Sequence, residues 1–115
     1  MAEYGYVRVS TREQNEARQL AALRKWGIRK RRMVLDKQSG KDFQRPGWMG
    51  LMERLQPGDL VVVESIDRLG RSYEEILEQW RTITRDKGAD LLILDMPMLD
   101  TRAKGQDLTG KFISD

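Results

Sequence analysis

Two short stretches of this chain, Leu60-Val61-Val62-Val63 and Leu91-Leu92-Ile93-Leu94, are apolar at every position. A strand with one wet face alternates apolar and polar residues. An unbroken run of this length, bounded by turn signals, reads as a strand covered on both faces. Pro57-Gly58-Asp59 breaks the chain before the first run. Between the runs, Ser72-Tyr73-Glu74-Glu75 has the form of a capping box. It opens a helical pattern with Ile76, Leu77, Trp80, Ile83 and Thr84 facing inward, ending near Gly88. The first half repeats this order. Residues 4–9 read as a strand, and Ser10-Thr11-Arg12-Glu13 as another capping box. Ala17, Leu20, Ala21 and Leu23 then share a helix face that stops at Gly27. Residues 33–35 read as a second strand and residues 36–44 as a polar loop. Pro46 suits the first turn of a helix carrying Leu51, Met52 and Leu55. Alternating strands and helices predict an α/β domain of three layers: a mostly parallel central sheet of four to five strands, flanked by helices.

The chain has 115 residues, enough for one domain with its own core. It contains no cysteine and no histidine, which excludes disulfides, thiol chemistry, Cys/His zinc sites and imidazole acid–base catalysis. Catalysis must therefore use Ser, Asp, Glu, Lys, Arg or Tyr. No apolar run approaches the roughly 20 residues that span a bilayer, so no membrane partner is expected. Met1-Ala2-Glu3-Tyr4 has none of the character of a signal peptide, and a cytoplasmic protein is expected. The net charge is +3, and Arg29-Lys30-Arg31-Arg32 concentrates four cations. Such a run fits polyanion binding, but reads first as a solvated turn between a helix and a strand.

In open parallel sheets, ligands sit beyond the C-terminal strand ends. The first strand ends in Arg8 and Ser10, which share a face because residues two apart project together. The second is followed by Asp36, Ser39, Gly40 and Arg45. The third leads into Glu64, Ser65 and Asp67-Arg68-Leu69-Gly70-Arg71. The planar fork of arginine matches phosphate oxygens. A serine hydroxyl needs a neighbour to activate it. These residues together suit attack on a phosphodiester. Taken singly, Ser10 also reads as a helix N-cap, Arg8 as one half of an ion pair with Asp36 or Glu64, and Asp67 and Arg68 as turn residues. Trp26, Trp48 and Trp80 read as packing residues.

The ordered set Tyr6-x-Arg8-Val9-Ser10-Thr11, Asp36-x-x-Ser39-Gly40, Arg45-Pro46, Gly58-Asp59 and Asp67-Arg68-Leu69-Gly70-Arg71-Ser72 resembles the catalytic domain of the serine recombinases, the resolvase/invertase family. The resemblance runs over essentially the whole chain. It implies cleavage and rejoining of double-stranded DNA through a covalent 5′-phosphoserine, with no metal and no other cofactor. Ser10 matches the nucleophile. Arg8, Arg68 and Arg71 match the arginines around the scissile phosphate, and Arg45 another, nearer the loop. Asp67 matches the acid that positions them or assists proton transfer. Asp36 and Ser39 match supporting loop positions, and Gln14 and Gln19 supporting helix positions. The resemblance also implies a catalytic domain over residues 1–108 and, over 109–115, the start of a long helix used for dimerisation and DNA contact. A full-length parent would form dimers and tetramers. This stretch alone is expected to be monomeric and unable to recombine. Two other readings stay open from the residues: a non-catalytic piece that binds a full-length partner, and a metal-dependent phosphotransfer domain.

Overall fold

The computed structural model describes residues 1–10, 16–38 and 45–102, with the side chains of Ser10 and Gln38 outside the description. Strand β1 (Glu3–Ser10) is followed by helix α1 (Glu16–Trp26), strand β2 (Met33–Gln38), helix α2 (Pro46–Arg54), strand β3 (Leu60–Val63), helix α3 (Tyr73–Arg81) and strand β4 (Asp90–Ile93). The four strands form one sheet in the order β2-β1-β3-β4, and every pairing is parallel. The sheet matches the expected architecture.

All four residues of β3 are fully buried, as the apolar run requires. Val61 and Val63 face a cluster with Trp48, Leu51, Leu77 and Trp80 from α2 and α3. Leu60 and Val62 face a cluster with Leu23 and Ile28 beside α1. One helix thus covers one face and two helices cover the other. Trp48 and Trp80 are core residues and Trp26 is half-buried, as expected.

Beyond shifts of a single residue in β1 and β4, two boundaries differ from the sequence reading. Strand β2 runs to Gln38, because its polar second half pairs with the end of β1: Arg8 lies opposite Asp36 and Ser10 opposite Gln38. Asp36 therefore sits within a strand, not at the start of a loop. Helix α3 widens into a π-turn over Thr82–Asp86. Two threonine hydroxyls donate to carbonyls one turn back there, Thr82 to Glu78 at 3.0 Å and Thr84 to Trp80 at 2.9 Å. Such back-bonding loosens the helical ladder. Gly88, at φ +65°, then turns the chain into β4. The outer edge of β4 is covered by the segment after it, since the Leu91 N–H donates to the Thr101 hydroxyl at 2.8 Å. The Arg29–Arg32 run forms the turn before β2, with Arg32 stacked over Tyr4 at 5.3 Å. Among the described residues, no helix is long and apolar enough to cross a membrane.

Candidate active site

In the strand order β2-β1-β3-β4, the first crossover leaves β1 towards β2, and the third leaves β3 away from it. The crevice at such a reversal lies beyond the C-terminal ends of β1 and β3. Alternation along β1 turns Val7 and Val9 towards α1, and Tyr6 and Arg8 to the face covered by α2 and α3. Ser10 is the last residue of β1. Its side chain lies outside the described residues, as do Gln14, Ser39 and the whole of 109–115.

A short turn after β3, Ile66–Arg68, brings the third segment to the same place. Arg68 is buried, and its Nη1 donates to the Arg8 carbonyl at 2.9 Å. The buried Gln19 of α1 donates to that same carbonyl through Nε2 at 3.2 Å. Arg8 in turn donates from Nη2 to the Asp67 carbonyl. Two guanidiniums thus tie β1 to the turn after β3, two residues before Ser10. The Asp67 carboxylate accepts from the Ser65 hydroxyl and lies 3.8 Å from Arg68 Nε. Arg71 is exposed at the end of the turn. Burial pulls the affinity of Arg8 for its proton below the usual range; Arg45, Arg68 and Arg71 add to this by repulsion, and Tyr6 opposes it. Mutual repulsion between clustered cations is relieved when an anion sits among them.

Asp36 is buried, and its carboxylate is fully engaged. Oδ2 accepts from the Tyr6 hydroxyl at 2.8 Å and from the Trp48 N–H at 2.9 Å, and Oδ1 accepts from the Gly47 N–H at 2.8 Å. Helix α2 has Arg45 at its N-cap with no side-chain cap of its own. An aspartate from a neighbouring strand takes that role, where two orphan N–H groups and the helix dipole favour a negative charge. Burial raises the Tyr6 hydroxyl above its usual range; Arg45 lowers it, and the hydrogen bond to Asp36 raises it further. Tyr6 therefore stays a donor. The suggested ion pairs for Arg8 are replaced by other contacts: Glu64 meets Arg18 at 3.2 Å, and Asp36 holds α2.

Arg45 is only 7% exposed. Its Nη1 donates to the Leu69 carbonyl at 2.7 Å and lies 3.5 Å from Glu75 Oε1, and its Nη2 lies 3.5 Å from the Arg68 carbonyl. The guanidinium stacks on Trp48 at 4.9 Å and on Tyr6 at 5.5 Å. Glu75 is the acid of the expected capping box. The Ser72 hydroxyl does accept from the Glu75 N–H at 3.2 Å, while the Glu75 carboxylate faces Arg45. Gly70 lies beneath Glu75: a Cβ there would meet Glu75 Cγ at 2.7 Å, Cβ at 2.9 Å and the Ile76 nitrogen at 3.0 Å. Gly70→Ala is expected to displace this turn and destabilise the domain by about 1–3 kcal/mol. A drop in the urea midpoint at unchanged slope would show it.

Beside the arginines runs an open groove of about 600 Å³ between the ends of β3 and β4, with Arg18, Glu64, Asp67, Arg68 and Asp95 along it. Asp95 is raised above the usual carboxylate range by burial, then by Asp67 and Glu64. The site therefore has a cationic side at β1 and an acidic side towards β4. Among the described residues, no group of three or more acidic side chains is placed to hold a metal ion.

Of the residues expected from sequence, Arg8, Gln19, Asp36, Arg45, Asp67, Arg68 and Arg71 all lie at this end of the sheet. Tyr6, Trp48 and Glu75 join them without having been assigned to the site. Tyr6 carried a signal, because it stands two residues before Arg8 on the same strand face. Glu75 was concealed by its capping-box spacing.

Residues 3–114 match the family described as Resolvase, N terminal domain. The chain is 42% identical over 81 residues to Transposon Tn21 resolvase of Escherichia coli, covering 70% of this chain and 41% of that protein. It is 44% identical over 84 residues to a DNA-invertase of Enterobacteria phage P7, covering 73% of this chain and 44% of that one. The chain thus spans less than half the length of these two relatives. The fold superposes on the N-terminal catalytic domain of TP901-1 integrase with a TM-score of 0.74 at 25% identity, covering 90% of this chain and 84% of that chain. With the family match over nearly its whole length and the arginine-rich crevice at the β1–β3 switch point, the chain belongs to the resolvase N-terminal domain family and is a serine recombinase N-terminal domain.

Proposed function

We propose that this domain cleaves and rejoins DNA strands in site-specific recombination, with Ser10 as the nucleophile. The Ser10 Oγ would attack a backbone phosphorus. The Oγ–P bond forms as the bond from phosphorus to the 3′ oxygen breaks. The 5′ phosphate is left on the serine, and a proton passes to the departing 3′ hydroxyl. Attack by another 3′ hydroxyl reverses these bonds and restores the serine. The phosphodiester energy is kept in the covalent link, so no nucleotide cofactor is needed.

One observation carries the reading: Arg68 Nη1 on the Arg8 carbonyl at 2.9 Å locks the arginine turn to the strand that ends in Ser10. Arg8, Arg68 and Arg71 would stabilise the charge that develops on the non-bridging oxygens. A single arginine in that position contributes about 10³ to 10⁵ in rate to phosphoryl transfer. Asp67, held by Ser65 beside Arg68, would position the arginines or assist the proton. Gln19 would support the β1 carbonyl, with Gln14 and Ser39 as further supporting positions. The partner would be double-stranded DNA, in a dimer and then a tetramer of the full-length protein, in the cytoplasm.

The test is an SDS-resistant protein–DNA adduct formed by the full-length protein on a duplex carrying its site. It should persist in excess chelator and vanish in Ser10→Ala. Adducts surviving in Ser10→Ala would remove Ser10 from its role, and chelator sensitivity would favour metal-dependent phosphotransfer.

A further inference from the structure

Like Arg68, Arg45 is an arginine of the cluster enclosed by protein. Its donors meet two carbonyls of the arginine turn and the Glu75 carboxylate, and its faces rest on Trp48 and Tyr6. To reach a phosphate it would give up the Leu69 carbonyl, leave the aromatic stack, and strand Glu75, whose side chain is only 31% exposed. Its backbone is fixed as well, because Asp36 holds the next turn of α2 through the Gly47 and Trp48 N–H groups.

We propose that Arg45 and Glu75 are positioning residues: they clamp the Arg68 and Leu69 carbonyls so that Arg68 and Arg71 are presented to the phosphate, and Arg45 makes no phosphate contact of its own. The chain of contacts is continuous. Asp36 fixes α2 and Arg45, Arg45 fixes the turn, and Arg68 reaches from that turn to the Arg8 carbonyl. Glu75 lies across Gly70 and braces the far side. A lysine at position 45 would keep the charge but lose the fork that spans two carbonyls and a carboxylate. The proposal rests on the recombinase reading for what the clamp serves, but not for whether the clamp exists.

Two measurements on this chain test it. The first needs no DNA. In the turn, the Arg68 and Leu69 N–H groups bond to Ser65 and Ile66. In Glu75→Gln and Arg45→Lys, their amide hydrogen exchange should quicken by about tenfold, which reports local opening rather than global unfolding. Unchanged exchange in the folded Glu75→Gln protein would overturn the clamp. The second is duplex binding against salt concentration. Each phosphate contact contributes about 0.9 to the slope of log K against log salt. Arg71→Gln should lower the slope by about 0.9, and Arg45→Gln should leave it unchanged. A fall of about 0.9 in Arg45→Gln would make Arg45 a phosphate contact and sink the proposal. A chain with no salt-dependent DNA binding would count against the recombinase reading, while the exchange result would still decide the clamp.

Discussion

Asp36→Asn is expected to cost about 3 kcal/mol of unfolding free energy, the penalty for leaving buried donors of a charge-assisted network badly matched. The native carboxylate takes three donors: the Tyr6 hydroxyl and the N–H groups of Gly47 and Trp48. Asparagine replaces one acceptor oxygen with an NH₂ group, which then points donor against donor. The whole stability of a domain this size is about 5–15 kcal/mol, so the loss would show as a large shift in the urea midpoint. Tyr6→Phe removes one donor and leaves the helix cap in place, so about 1 kcal/mol is expected. If both variants cost the same small amount, the cap on α2 is not what fixes Asp36.

Arg71→Gln should slow adduct formation by about 10³ or more with little change in stability, because Arg71 is exposed and one arginine on a transferring phosphoryl group carries that much rate. Arg68→Gln should lose a comparable rate and stability as well. Its buried guanidinium also bonds the Arg8 carbonyl, so the loss leaves a backbone acceptor without one of its donors. Single-turnover adduct kinetics beside urea titrations separate the two cases. Equal stability losses in both variants would contradict the structural part given to the buried Arg68 and its bond to the Arg8 carbonyl.

Much of this arrangement is legible in the sequence. The runs Leu60–Val63 and 91–94 required strands buried on both faces, and the sheet supplies them with only a one-residue shift at β4. Arg8, Asp36, Asp67 and Arg68 stood out because charges at the ends of apolar strands are costly unless they are used. What the sequence concealed are roles that depend on distant partners. Asp36 looked like a loop residue because polar neighbours surround it; only the pairing of β2 with the end of β1 keeps it in a strand. Glu75 looked like half of a capping box because its spacing from Ser72 is right for one; the approach of Arg45 across the fold takes its carboxylate. The π-turn after α3 comes from two threonine hydroxyls competing with the backbone, which helical periodicity does not register.

The most direct measurement of the central claim is peptide mapping of the adduct by mass spectrometry, together with the chemistry of the released DNA end. The expected result is a nucleotide attached through its 5′ phosphate to Ser10, and a free 3′ hydroxyl on the other strand end. Attachment at any other residue, or a 3′ phosphate on the protein, would contradict it.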